Sequence, residues 1–253
     1  MTFDSEEELK KVAEEFPDAK LLLRLKVDDS LSKYKLGDKF GAKTSEVESL
    51  LSNSRDLGLR VVGIAFHVGS DCSSAAVFES AIRMAYESSL VMKRLGFEME
   101  VLDIGGGYPD IIDFENKDDL FFQMARYINK ALDDFFPEDK FPQLKIISEP
   151  GRYFVGSALV LITKIIGKKI VEIEDGKSCM YYLNDGLFGG YLIKFWEPDM
   201  MRFRPLVPEK TLSSRRSLKS TFWGPTCDST DFTVKDKDMK ELHVGEFLVV
   251  CCK

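Results

Sequence analysis

Four short stretches of this 253-residue chain carry side chains and backbone that could do chemistry together. Leu102-Asp103-Ile104-Gly105-Gly106-Gly107-Tyr108 stops an apolar run at three glycines. With no Cβ in the way, their N–H groups can approach an anion closely, which suggests a phosphate-binding loop; a plain turn is the alternative. Glu149-Pro150-Gly151-Arg152-Tyr153 follows another apolar run with a carboxylate and a guanidinium. Taken alone, such a carboxylate more often serves a structural ion pair, here with Arg24 or Arg152. His67-Val68-Gly69-Ser70 ends a third run with an imidazole and a hydroxyl. A single histidine in that place is more often satisfied locally than catalytic. Trp223-Gly224-Pro225-Thr226-Cys227-Asp228 puts a thiol beside a carboxylate in a turn; a tight loop with a free cysteine is the plainer reading.

The elements that must position these residues alternate. Ser5-x-x-Glu8 is a capping box, followed by Leu9, Val12, Ala13 and Phe16 at helical spacing, with Pro17 as the stop. Ser45-x-x-Glu48 opens a second helix with Val47, Leu50 and Leu51 on one face, closed by Gly58. Further helices are expected from about Ser74 to Leu95 and from about Asp118 to Phe136. Apolar runs beginning at Leu21, Val61, Val101 and Leu144 lie about forty residues apart with a helix between each pair. That is repeated βα architecture with a parallel sheet. Lys26, His67 and Ser70, Gly105 to Gly107, and Glu149 with Arg152 each fall just after a run, on the rim where α/β sheets and barrels place their sites.

After Tyr153 helical periodicity nearly disappears. Ser157 to Gly167, Met180 to Leu183, Gly190 to Trp196 and Phe247 to Cys252 read as strands, and Pro208 to Ser220 as an exposed loop or a disordered insertion. The expected organisation is an α/β domain over residues 1–154 and a β-rich domain over 155–253.

Composition narrows the function classes. The chain is 44% hydrophobic and 30% charged, which is ordinary for a globular protein, and no apolar run approaches a membrane span. A net charge of −7 without basic clusters argues against nucleic-acid binding and leaves cationic substrates open. Five cysteines without a C-x-x-C and two histidines indicate neither a disulfide framework nor a metal site, and a cytoplasmic setting is expected.

Together the stretches MTFDSEEEL, LLLRL, KFGA, VVGIAFHVGSDC, LDIGGGYP, ISEPGRYFV, MYYLNDGLFGG, FWGPTCDSTD and LHVGE resemble the fold-type III pyridoxal-phosphate decarboxylases, in the ornithine decarboxylase and antizyme inhibitor family. They occur in family order over essentially the whole chain. The resemblance implies part of an alanine-racemase-like (β/α)8 TIM barrel followed by an incomplete C-terminal β-domain. It implies pyridoxal 5'-phosphate as cofactor, with its phosphate held by Gly105, Gly106, Gly107, Ser70 and Arg152. His67 would stack on the ring, Glu149 would accept from the pyridine nitrogen, and Arg24 would orient Glu149. Cys227 would return a proton to the substrate carbon, and Asp228 would bind the distal ammonium of a basic amino acid. A homodimer and an antizyme partner are implied as well.

The chain also departs from that pattern. It opens at a point where the family is already partway through its barrel, so the upstream strands and the cofactor-linking lysine are absent, as are the final strand and its tyrosine. The chain alone is therefore expected not to decarboxylate ornithine. Phe188 stands where the family has a tyrosine, and Glu197 where it has a substrate-binding aspartate. Lys26, two residues after Arg24, offers a rim amine on the same strand face, although a solvated lysine is the plainer reading. These departures keep a non-catalytic regulator of polyamine metabolism open beside a decarboxylase of putrescine biosynthesis.

Overall fold

A computed structural model describes residues 1–109, 119–156, 158–174, 176–195 and 201–252. The chain divides into two compact units, Met1–Gly156 and Ser157–Lys253.

The first unit runs β1 (Thr2–Phe3), α1 (Glu6–Glu15), β2 (Lys20–Leu25), β3 (Ser32–Tyr34), α2 (Val47–Asp56), β4 (Arg60–Phe66), β5 (Ser70–Cys72), α3 (Ala76–Arg94), β6 (Val101–Asp103), α4 (Leu120–Phe135), β7 (Lys145–Ile147) and α5 (Arg152–Val155). The order β1-β2-β4-β6-β7 forms one sheet, parallel throughout, and β3 and β5 make a small antiparallel ladder. All four apolar runs are thus strands of one parallel sheet. The helix signals acted locally. Ser5 caps α1 by accepting from Glu8 N–H, and its acidic first turn complements the helix dipole. Gly58 and Gly96, at φ +70° and +88°, turn the chain out of α2 and α3. The second cap sits elsewhere than Ser45-x-x-Glu48. A 3-10 turn over Thr44–Glu46 leads into α2, and Glu46 accepts from Lys43 N–H at 2.7 Å. The Asp118 start expected for α4 lies outside the described residues; Asp119 caps the helix by accepting from Phe121 N–H at 2.9 Å.

Sheet register decides which side chains share a face. Leu21, Leu23 and Leu25 of β2 are buried in the same core as Leu9, Val12, Leu51, Phe78 and Ile82 of the helices. Leu22, Arg24 and Lys26 alternate with them and stay half-buried on the other face. Arg24 is in register with Ala65, Ala65 with Asp103, and Asp103 with Ile147. Parallel neighbours in register point the same way, so Arg24 and Asp103 occupy one polar row.

The second unit contains β8 (Leu161–Ile173), β9 (Gly176–Leu183), β10 (Met201–Pro205), α6 (Glu209–Ser213), β11 (Ser217–Trp223), β12 (Phe232–Lys240) and β13 (Phe247–Cys252). They form a sheet in the order β10-β13-β8-β9-β11-β12, antiparallel except between β9 and β11. Its core holds Ile165, Tyr181, Tyr191, Phe222, Leu242 and Leu248, with Tyr181 and Phe222 stacked at 4.8 Å. Two sequence expectations are corrected here. Gly190 to Phe195 is a turn and a 3-10 segment rather than a strand, because Asp185 accepts from Gly186 and Gly190 N–H and curls the backbone; Trp196 lies outside the described residues. Pro208 to Ser220 is not a loop: it contains α6 and the start of β11. Its two arginines are paired, while Lys210 and Lys219 are exposed. Arg215 pairs with Glu246 at 2.7 Å and Arg216 with Glu241 at 2.7 Å.

Candidate functional site

The polar row continues past the strand ends. Glu149 N–H donates to Gly105 O at 2.7 Å, which extends the β6–β7 ladder and sets Glu149 beside the glycine loop. His67 sits one residue beyond β4. Its Nδ1 accepts from Gly69 N–H at 3.0 Å, so the hydrogen of the neutral ring belongs on Nε2. Burial, with the Arg24 charge adding to it, lowers its pKa to about 4, and the imidazole is neutral at pH 7.

All three glycines are demanded by crossing protein as well as by any anion. A Cβ on Gly105, whose φ is +63°, would meet Phe66 O at 2.1 Å. One on Gly106 would lie 2.6 Å from Glu149 O and 2.8 Å from His67 Nε2, and one on Gly107 would lie 2.6 Å from Gly69 O. Gly105 N–H donates to Asp103 Oδ1 at 2.9 Å, whereas the N–H groups of Gly106 and Gly107 have no protein acceptor among the described residues. The loop therefore presents two open donors. Open donors of this kind are what an anion site requires.

Charges converge on this rim. The carboxyl of Glu149 has its pKa raised by partial desolvation and by the Asp103 charge, against a lowering by Arg24. Asp103, only 5% exposed, is raised by burial, while Gly105 N–H and Arg24 pull it down. Arg24 stacks over the Phe40 ring at 4.5 Å and makes no direct hydrogen bond to Glu149 among the described residues. It acts on Glu149 through its charge. Tyr108 stacks on Phe78 at 5.4 Å, and its buried hydroxyl has no hydrogen-bond partner among the described residues. Burial, Asp103 and Glu149 all push its pKa up. Asp103 and Tyr108 were not singled out as site residues in the sequence. For Asp103 the signal was the Asp103-x-Gly105 spacing, which lets the carboxylate bond the loop two residues on; Tyr108 is placed by its stacking on Phe78, which no local pattern marks.

His67, Ser70, Gly107, Glu149 and Arg152, together with Asp71, Tyr108 and Gly151, line one cleft of about 240 Å³. Lys26 is not among them; its Cε and the Asp29 carboxylate flank Gly37 instead. The donor set suits a phosphorylated pyridine. Two open N–H groups, a hydroxyl and a guanidinium are available for a phosphate, a neutral imidazole for a ring face, and a carboxylate of raised proton affinity for a ring nitrogen.

Cys227 and Asp228 belong to the second unit. They line a cleft of about 350 Å³ with Ile166, Tyr182, Trp223 and Thr226. Cys227 is an exposed free thiol. Asp228 Oδ1 accepts from both N–H and hydroxyl of Thr230 at 2.7 Å, and these bonds hold its pKa down. Beneath the loop Asp231, 1% exposed, accepts from Leu187 N–H at 2.7 Å and from Thr226 N–H and hydroxyl at 3.0 and 2.6 Å. Gly186 and Gly224 leave room for it: a Cβ on either would fall within 2.3 Å of its carboxylate. Phe188 is exposed, and Glu197 lies outside the described residues.

A parallel βα sheet with an anion-receptive rim, followed by an antiparallel β-unit, is the arrangement of barrel-type pyridoxal enzymes. The family profile described as pyridoxal-dependent decarboxylase, pyridoxal binding domain, matches residues 1–156, and the chain belongs to that family. It is 40% identical to ornithine decarboxylase of Cricetulus griseus and 38% identical to antizyme inhibitor 2 of Xenopus laevis, in each case over 98% of this chain and 55% of the relative. The chain thus spans little more than half the length of these relatives. Among solved structures, the agmatine-bound arginine decarboxylase of Paramecium bursaria Chlorella virus superposes with a TM-score of 0.85 at 34% identity, over 99% of this chain and 64% of that one. No helix among the described residues is long and apolar enough to cross a membrane.

Proposed function

We propose that the first unit cradles pyridoxal 5'-phosphate and that the chain carries part of the machinery for decarboxylating a basic amino acid such as ornithine, the reaction that yields putrescine, while the chain alone does not turn the substrate over. The observation that carries this reading is the convergence of His67, Ser70, Gly107, Glu149 and Arg152 on one cleft. Gly106 and Gly107 N–H, the Ser70 hydroxyl and Arg152 bind the phosphate; the neutral His67 ring packs against the pyridine face. Glu149 accepts from the ring nitrogen and keeps its proton in place, with Arg24 and Asp103 setting its charge. When bound, the cofactor supplies an electron sink for the pair left as the carboxylate departs. Cys227 holds the proton that returns to the substrate carbon, and Asp228 and Glu197 bind the distal ammonium. A second copy of the chain is the expected partner.

Titration with pyridoxal phosphate, followed by its absorbance, tests this. The expected result is saturable binding that Arg152→Ala weakens by about tenfold or more, the loss typical of a charge-assisted bond. Non-saturating uptake, or no difference between the two proteins, refutes it. A regulatory reading has its own support in the 38% identity to a protein named antizyme inhibitor 2 and in Phe188 and Glu197. Binding to antizyme without ornithine turnover favours that reading.

A further inference from the structure

Among the described residues, Asp71 is the one acidic residue of the cleft that the phosphate cradle does not call for. It follows Ser70 and lines the same cleft as Gly107 and Arg152. Its Oδ1 lies 3.4 Å from Nη1 of Arg152, with the two side chains 42% and 28% exposed. Its backbone stands at φ +58°, left-handed space that non-glycine residues enter at a cost. Ser70 pairs with Tyr34 and Cys72 with Ser32, so the residue between them is pinned on both sides. A strained residue is thus held where its carboxylate meets the guanidinium assigned to the phosphate. A phosphomonoester entering beside Ser70 and Gly107 encounters like charge there and must share or take over Arg152.

We propose that Asp71 is a built-in competitor for the phosphate: it engages Arg152 in the ligand-free chain, and its displacement sets the affinity of the cleft for phosphorylated ligands. This rests on the reading of the cleft as a pyridoxal-phosphate site. Asp71→Asn removes the charge, keeps the shape and tolerates left-handed backbone. Asp71→Gly removes both charge and strain, and serves as the second variant should asparagine find a new partner.

The experiment is calorimetric titration of the 253-residue chain and both variants at fixed ionic strength, because exposed charges are screened. The probes are inorganic phosphate, pyridoxal phosphate and unphosphorylated pyridoxal. Both variants are expected to bind the two phosphorylated probes about two- to fivefold more tightly than the parent, with pyridoxal unchanged. If the parent binds pyridoxal phosphate and neither variant binds it more tightly, the competitor is overturned while the phosphate site stands. If pyridoxal gains as much as pyridoxal phosphate, the effect belongs to the ring and the proposal is again overturned. If none of the three proteins binds either phosphorylated probe, the site reading fails and takes the proposal with it.

Discussion

Replacing Gly106 with alanine places a methyl carbon 2.6 Å from Glu149 O and 2.8 Å from His67 Nε2. Ordinary contacts need about 3.5 Å or more, so roughly an ångström of relief must come from one of three groups. None yields freely. Glu149 is tied through its N–H to Gly105 O at 2.7 Å, His67 is held by Gly69 N–H at 3.0 Å, and the loop itself is anchored by the Asp103–Gly105 bond at 2.9 Å. Overpacking of this kind costs about 1–3 kcal/mol. For a unit of this size each kcal/mol is worth about 2–4 °C, so Tm falls by roughly 2–12 °C. The groups displaced are those assigned to the cofactor ring, so pyridoxal-phosphate affinity falls with stability, by about tenfold or more. Thermal melts by circular dichroism and a cofactor titration read the two effects. Gly151→Ala is the control for the melts alone, since a Cβ there meets nothing within 4 Å and its φ is negative, while the residue itself lines the cleft. A Gly106→Ala protein that melts within about 1 °C of its parent and binds the cofactor equally would refute the packing argument.

Three further outcomes are expected. His67 has a folded pKa near 4 against an ordinary value of 6.5, so the unfolded chain binds its proton first; stability falls as pH drops from about 6.5 to about 4, and His67→Gln flattens that part of the pH–stability curve in denaturant titrations. An unchanged slope in the variant would show that the imidazole is not buried neutral. Asp231→Ala removes the acceptor of three hydrogen bonds at a 1% exposed position and destabilises the second unit by about 2–4 kcal/mol, read by urea unfolding; a loss under about 0.5 kcal/mol would mean the loop stands without it. Brief alkylation of the native chain, mapped by peptide mass, labels exposed Cys227 and spares buried Cys72 and Cys179; equal labelling of all three would contradict the packing of both cores.

Much of this protein follows from its sequence read locally. The four apolar runs are neighbours in one parallel sheet, although their burial differs: β4 is buried on both faces, while β2 alternates and β7 is largely exposed. The stop signals at Pro17, Gly58 and Gly96 act within a turn of the residues they end, which is why they could be read without a fold. Because each crossover returns the chain to the same edge, the residues after each run had to gather on one rim, and His67, Ser70, Gly107, Glu149 and Arg152 do so.

Tertiary contacts decided the rest. Pro208 to Ser220 looked solvated because the partners of Arg215 and Arg216, Glu246 and Glu241, come 31 and 25 residues later. Gly190 to Trp196 carried a strand's composition, but Asp185 takes Gly190 N–H, and Tyr191, Leu192 and Lys194 N–H donate to carbonyls of the turn instead of a ladder. The glycines were legible as an anion loop, yet their small size answers equally to Phe66 O, Glu149 O and Gly69 O crossing beneath them. Local propensities and burial periodicity thus determined the strands, the helices and the rim. The pairing of Asp71 with Arg152, the burial of Asp231 and the close approach to each glycine needed the folded chain, because each depends on atoms brought together across the sequence, whose distances no local pattern encodes.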